Sequence, residues 1–221
     1  ADGSDKLVFS NDGIYFDHSI LPASTTWKHV ALGGPNNDTI MCLATGSANI
    51  YKNTLETGGD STQVPSGNWT TVATGGSATT WVGLAYGAGK WIALAENGTT
   101  VISADNGVTW STGAAVTPAS PEVYSDLAFG NNCCIASMNQ PDRIIYRDTG
   151  TVWSDASLVG DSGRENWKLG YTNGVFLAVS STGTTVSSDN GYYWKIREIT
   201  GNLTAIAGGI RNNLPAFVGV A

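Results

Sequence analysis

Four tryptophans recur at near-constant spacing along the chain. Trp69, Trp110, Trp153 and Trp194 stand 41, 43 and 41 residues apart, and related residues flank the last three. A period of this length is too short for a domain, but it is the length of one four-stranded sheet in a radially repeated architecture. The clearest unit is Thr80-Trp-Val-Gly-Leu-Ala-Tyr-Gly-Ala-Gly-Lys-Trp-Ile-Ala-Leu-Ala95, followed by Val101-Ile-Ser-Ala-Asp-Asn-Gly-Val-Thr-Trp110. It returns as Trp167-Lys-Leu-Gly-Tyr-Thr-Asn-Gly-Val-Phe-Leu-Ala-Val179 and Val186-Ser-Ser-Asp-Asn-Gly-Tyr-Tyr-Trp194. A weaker copy lies between them, at 126–136 and 145–153. In the unit from Thr80, strands are predicted near 82–86, 91–95, 100–103 and from 108. The intervening Gly-Ala-Gly and Glu-Asn-Gly are hairpin-turn sequences.

The two ends of the chain supply complementary parts of one more unit. Residues 203–208 and 216–221 read as the first two strands of a blade, and 7–16 as the last two. Counted across the termini, Trp194 to Phe16 is again 43 residues. The remaining interval, Phe16 to Trp69, is 53, because 53–67 holds an insertion between the third and fourth strands that is not expected to add a strand. The first blade uses 27–33, 39–44 and 49–52. The expected fold is therefore an all-β, five-bladed β-propeller of four-stranded antiparallel blades. It is a single domain over 1–221 whose last blade is shared by 1–20 and 203–221. Closure comes from pairing of 217–220 with 7–10, because a closed ring leaves no open edge to template aggregation.

Composition agrees and narrows function. Glycine contributes 28 residues and charged residues only 13%, which excludes a Glu/Lys-rich coiled coil. An aromatic content of 10% argues against disorder. The formal charge is −7, with 11 scattered Lys and Arg, so there is no basic footprint for nucleic acid. No apolar run reaches the length of a membrane span. The three cysteines, Cys42, Cys133 and Cys134, fit neither a zinc site nor a disulfide framework and read as packed thiols. A vicinal Cys133–Cys134 disulfide is the other reading. The first residue reads as a processing or expression boundary, since neither an initiator Met nor a signal peptide is present.

Ser103-Ala-Asp-Asn-Gly-Val-Thr-Trp110 and Ser187-Ser-Asp-Asn-Gly-Tyr-Tyr-Trp194 match the pattern Ser-x-Asp-x-Gly-x-x-Trp. The chain thereby resembles the Asp-box propellers of the bacterial neuraminidase repeat type. Tyr146-Arg-Asp-Thr-Gly-Thr-Val-Trp153 departs at the first position, and Ser10-Asn-Asp-Gly-Ile-Tyr-Phe16 is one residue short. The resemblance implies structural roles for Ser103, Asp105, Gly107 and Trp110, for Asp148, Gly150 and Trp153, and for Ser187, Asp189, Gly191 and Trp194. Physically, a short carboxylate accepts turn amides. Glycine permits positive φ, and the Trp packs between blades.

Sialidases of this family grip the substrate carboxylate with three arginines and use a Tyr–Glu pair and an acidic residue. Here the arginines are Arg143, Arg147, Arg164, Arg197 and Arg211, with no Phe-Arg-Ile-Pro motif. Arg143 and Arg147 are poorly placed for such a grip, and sialidases are longer and six-bladed. Glu122 and Glu165 occupy corresponding loops before successive blades and read as solvated acids rather than a glycosidase pair. His18 and His29 have no ligand or nucleophile partner in the sequence. The Asp/Asn-rich start matches no calcium loop. No catalytic residue, metal or cofactor is expected, and glycoside hydrolysis is the third reading.

The phrase from Leu84 to Leu94, with its echo from Gly170, is similar to the repeats of bacteriophage tail and tail-fibre proteins. That resemblance implies a non-enzymatic module at the virion surface that recognises a host-surface receptor, a glycan before a protein, among other virion proteins. The alternative is a structural or assembly propeller that docks onto another protein. Tyr124, Glu165 and Trp167, in or beside the loops between blades, are the expected ligand-binding residues. The rival surface is the one carrying the 53–67 insertion.

Overall fold

In the computed structural model the chain is all-β. The structure describes residues 5–10, 14–22, 25–57, 63–65, 68–73, 80–113, 123–140, 142–147, 152–158, 167–197, 203 and 205–220. These divide between two compact units, 1–93 with 101–112, and 94–100 with 113–221.

At the start, β1 (Lys6–Phe9) and β2 (Asp17–Ile20) form an antiparallel hairpin with Lys6 opposite Ile20. The first repeat follows as β3 (Trp27–Gly33), β4 (Thr39–Ala44), β5 (Asn49–Thr57), β6 (Gln63–Pro65) and β7 (Thr70–Ala73). The second is the meander β8 (Trp81–Gly87), β9 (Lys90–Ala95), β10 (Thr100–Ser103) and β11 (Ser111–Thr112). The third is β12 (Val123–Gly130), β13 (Cys133–Gln140), β14 (Asp142–Arg147) and β15 (Ser154–Asp155). Next, β16 (Ser157–Leu158) joins the outer edge of the fourth repeat, pairing parallel with β20. That repeat is β17 (Trp167–Thr172), β18 (Val175–Ser180), β19 (Thr185–Ser188) and β20 (Tyr193–Arg197). A second hairpin, β21 (Ala205–Arg211) with β22 (Leu214–Val220), ends the described chain.

The order of strands in each sheet explains the pattern of apolar runs. The second strand of every repeat lies between two neighbours and is covered on both faces, so it needs no alternation. All six residues of β4 are buried, as are all but the first of β9 and of β18. The first strand lies at the sheet edge, and β3 alternates in burial instead. In the second, third and fourth repeats and in the last hairpin the first two strands are joined by two-residue I′ turns with positive φ at both central positions, whereas five residues join β3 and β4. The central residues of the I′ turns are Ala88 and Gly89, Asn131 and Asn132, Asn173 and Gly174, and Asn212 and Asn213. The twist of such turns matches that of the strands they join.

Consecutive repeats interlock where an aromatic meets a glycine. A Cβ on Gly130 would lie 2.2 Å from the ring of Tyr171, and one on Gly33 would lie 2.4 Å from Cβ of Tyr86. The Tyr and Gly of the repeated phrase are therefore packing partners. In the second unit Trp167, Trp194, Phe176, Ile135 and Ile144 form one buried cluster. In the first, Leu7 and Trp27 pack on Leu21, Ile40 and Cys42. The cysteines are free and buried, and burial pushes the thiols of Cys42 and Cys134 up to about 12.

Among the described residues β1 pairs with β2 and β21 with β22; the ladder between 217–220 and 7–10, which would join the two units, stays an expectation. One expectation about topology requires correction. The insertion does add a strand: β5 runs on to Thr57, and its end pairs with β6, Leu55 opposite Pro65. Its Gln-Val segment extends an existing hairpin rather than forming a bare loop.

Candidate functional site

Of the residues expected to bind ligand, the two that the structure describes, Tyr124 and Trp167, are buried. They are 2% and 1% exposed, core residues at the second position of β12 and the first of β17. The Tyr124 amide donates to the Glu96 carbonyl at 3.0 Å. The Trp167 carbonyl accepts the Ser137 hydroxyl at 3.0 Å. Glu165 lies outside the described residues, as do Asp148 and Gly150.

The Asp boxes are turn-holding devices, built in two ways. In the first, the hydroxyl of Ser103 donates to Asp105 Oδ1 at 2.7 Å and accepts the Gly107 amide at 2.7 Å. The amides of Val108 and Thr109 also donate to Asp105, at 3.1 and 2.9 Å. The Thr109 hydroxyl and amide, then Ser103, hold this carboxyl well below the usual carboxylate range. Asn106 bridges repeats, accepting Trp91 Nε1 and donating to Thr39 Oγ1, each at 2.9 Å. In the box at 187–194 the work moves one residue along. Ser188 Oγ accepts the Gly191 amide at 2.8 Å, and Asn190 Oδ1 accepts the amides of Tyr192 and Tyr193, both at 2.9 Å. Asp189 is left exposed, with its backbone carbonyl accepting Asn131 Nδ2 at 2.6 Å. Ser187 accepts Arg197 Nε at 2.8 Å. Trp194 is fully buried and Trp153 nearly so, whereas Trp110 is half-buried. The Arg147 guanidinium lies over the Trp153 ring, 5.3 Å from its centroid.

The facing edges of β12 and β17 are closed by side chains. Asp126 Oδ2 accepts the Leu169 amide at 2.9 Å, and Asp126 Oδ1 accepts the Leu127 amide at 2.8 Å. Lys168 Nζ reaches the Ser125 carbonyl at 3.4 Å. Desolvation raises the Asp126 carboxyl to about 6, opposed by the Leu169 amide, Lys168 and the Leu127 amide. These two charges satisfy strand-edge groups that would otherwise be unpaired.

A polar groove of about 390 Å³ lies on the fourth repeat. It is lined by Val175 of β18, by Ser187 and Ser188 of β19, by Asp189 and Asn190 of the turn, and by Tyr193, Lys195 and Arg197 of β20. Along β20, alternate residues share a face, so Tyr193, Lys195 and Arg197 point one way and the buried Trp194 the other. Tyr193 is 58% exposed and stands edge-on to Tyr192, which in turn packs against Tyr146. Reading the arginines only for a sialidase triad misses this site. The signal in the sequence is the alternation Tyr193-x-Lys195-x-Arg197 after an Asp box. Among the described residues no three His, Cys, Asp or Glu side chains are grouped to hold a metal ion, and no helix is long and apolar enough to cross a membrane.

No family model matches the chain, and no curated protein matches it. Solved structures share its fold at low identity. A streptogramin B lyase aligns with a TM-score of 0.72 and 12% identity over 98% of this chain and 76% of its own. Virginiamycin B lyase from Staphylococcus aureus gives 0.67 and 13%, over 91% and 67%. YCF48 bound to a D1 peptide gives 0.60 and 13%, over 94% of this chain but only 62% of the YCF48 chain. The fold is thus multi-bladed and β-propeller-like, a likeness of architecture alone at these identities.

Proposed function

We propose that this chain is a non-enzymatic docking module whose partner is another protein. The observation that carries the reading is the exposed Tyr193 with Lys195 and Arg197 on one strand face, beside a groove. Several other charged groups in the described structure serve it internally: Asp105 holds a turn, Asp126 and Lys168 close strand edges, and Arg143 pairs with Asp155 at 2.9 Å. An exposed Tyr with an Arg on the same strand face has the residue types that dominate protein-recognition patches. The likeness to YCF48, a structure solved with a peptide, supports the same reading.

A second reading is a virion-surface module that recognises a host glycan. It is favoured by the repeated phrase similar to phage tail proteins and by Tyr193 next to Asn190, since sugars stack on aromatic faces beside amides. Probing the labelled chain against a peptide array and a glycan array in parallel separates the two. Peptide hits with no glycan hits are expected. Glycan hits alone overturn the docking reading in favour of the second. Turnover of any member of a fluorogenic glycoside panel overturns both.

A further inference from the structure

We infer that the groove over β18–β20 seats an extended acidic segment of the partner, with two carboxylates at alternate positions. This inference rests on the docking reading and names its site and the partner's chemistry. Three features of the groove specify the occupant.

The first is spacing. Alternate residues of a strand project from one face about 6.8 Å apart, so Lys195 and Arg197 present two cations at the repeat of an extended peptide. A segment with acids at positions i and i+2 matches that repeat without bending.

The second is preorganisation. Arg197 spends its Nε–H on Ser187 Oγ at 2.8 Å, which fixes the guanidinium while leaving its terminal nitrogens to a carboxylate. Holding the side chain in advance lowers the entropy cost of binding. Tyr193 is likewise braced, its ring 4.2 Å from that of Tyr192. It offers a rigid apolar plate for an apolar residue two positions before the first acid.

The third is polarity. Lys195 lies opposite Ser187 and Arg197 opposite Thr185, away from the turn, while Asp189 and Asn190 line the groove at the turn. An acid is attracted at one end and repelled at the other, so the segment runs with its acids toward Arg197 and its apolar residue toward Tyr193. Elsewhere the chain, at −7, disfavours an acidic partner, which directs it to this groove.

The test uses the full chain and a blocked peptide of sequence Gly-Leu-Gly-Asp-Gly-Asp-Gly, with an Asp-to-Asn peptide as control, in isothermal titration. The Asp peptide is expected to bind at least tenfold more tightly than the Asn peptide. Lys195→Gln and Arg197→Gln should each weaken it about three- to tenfold with an unchanged Tm, and Asp189→Asn should leave it equal or tighter. Equal affinity for the two peptides, or indifference to both β20 substitutions, overturns the inference. So does a marked loss of Tm in Lys195→Gln, which would show the groove covered by the chain's own strands. If other array peptides bind without dependence on β20, this inference fails and the docking reading stands. If no peptide binds and glycans do, both fail.

Discussion

The carboxylate of Asp126 and the backbone N–H of Leu169 meet at 2.9 Å across the seam between two blades. A strand edge that would otherwise carry an open donor is closed by an acid from the neighbouring sheet. The cost is desolvation, which places the Asp126 carboxyl near 6 against 3.8 in the unfolded chain. Because the folded state holds this proton more tightly, the contribution of Asp126 is fully present below about pH 4. It declines as pH rises through 6, by on the order of 3 kcal/mol across the window. Asp126→Asn removes the titration. Urea unfolding of both proteins between pH 4 and 7 should show the stability of wild type relative to the variant falling as pH rises. Parallel pH profiles would show that the group does not titrate there.

Asp105 has the opposite sign. Its carboxyl is held low by the Thr109 hydroxyl and amide and by Ser103. The stability it supplies is present above the ordinary carboxylate range and is lost as pH falls below about 4. Asp105→Asn should therefore flatten the acid limb of thermal unfolding, in contrast to Asp126→Asn. An acid limb identical to wild type would count against the hydrogen bonds described for this turn.

The two matching boxes should respond differently to the same substitution. Asn190 accepts two turn amides, so Asn190→Ala is expected to cost about 1 kcal/mol, as for a lost cap. The side chain of Asp189 is exposed, and Asp189→Ala should stay within about 0.5 kcal/mol of wild type. Denaturation midpoints in the reverse order would restore Asp189 as the turn-holding residue.

Gly130 is held to glycine by its neighbour rather than by its backbone. An added Cβ would meet three ring atoms of Tyr171 at 2.2–2.4 Å, and Gly130→Ala should destabilise by about 1–3 kcal/mol through overpacking. Tyr171→Ala in the same chain should recover part of that loss. A double variant no better than the sum of the singles would show that the two residues do not share this space.

The blades were legible because two physical rules act locally. A strand covered on both faces must be apolar throughout, which makes Ile40-Met-Cys-Leu-Ala44 and Trp91-Ile-Ala-Leu-Ala95 readable. Asn-Gly pairs are favoured in I′ turns, which makes Asn173-Gly174 readable. The site was less legible because it depends on which residue a turn selects. Ser187 and Ser188 are chemically equal, yet one holds the turn and the other anchors Arg197. Tyr124 and Trp167 sit next to loops in sequence but are core residues of β12 and β17. Adjacency along the chain does not report which side of a sheet a ring enters.

Trp110 and Trp194 occupy the same place in the repeat but not the same environment. Trp194 is fully buried among Trp167, Phe176 and Ile144, and its Nε1–H donates to the Gly191 carbonyl at 2.9 Å. Trp110 is half-buried, and its Nε1 has no hydrogen-bond partner. Trp194→Ala removes a whole indole from a packed cluster together with a satisfied donor, so a loss of about 3–5 kcal/mol is expected. Trp110→Ala removes less buried surface and relieves an unpaired buried donor, so its loss should be smaller. Trp194→Phe separates the two contributions, because it keeps most of the ring volume and deletes the hydrogen bond. It should retain more than half of the stability that Trp194→Ala loses. Equal destabilisation of the two alanine variants would mean that the repeat position, rather than the local packing, sets the energy of each closing tryptophan.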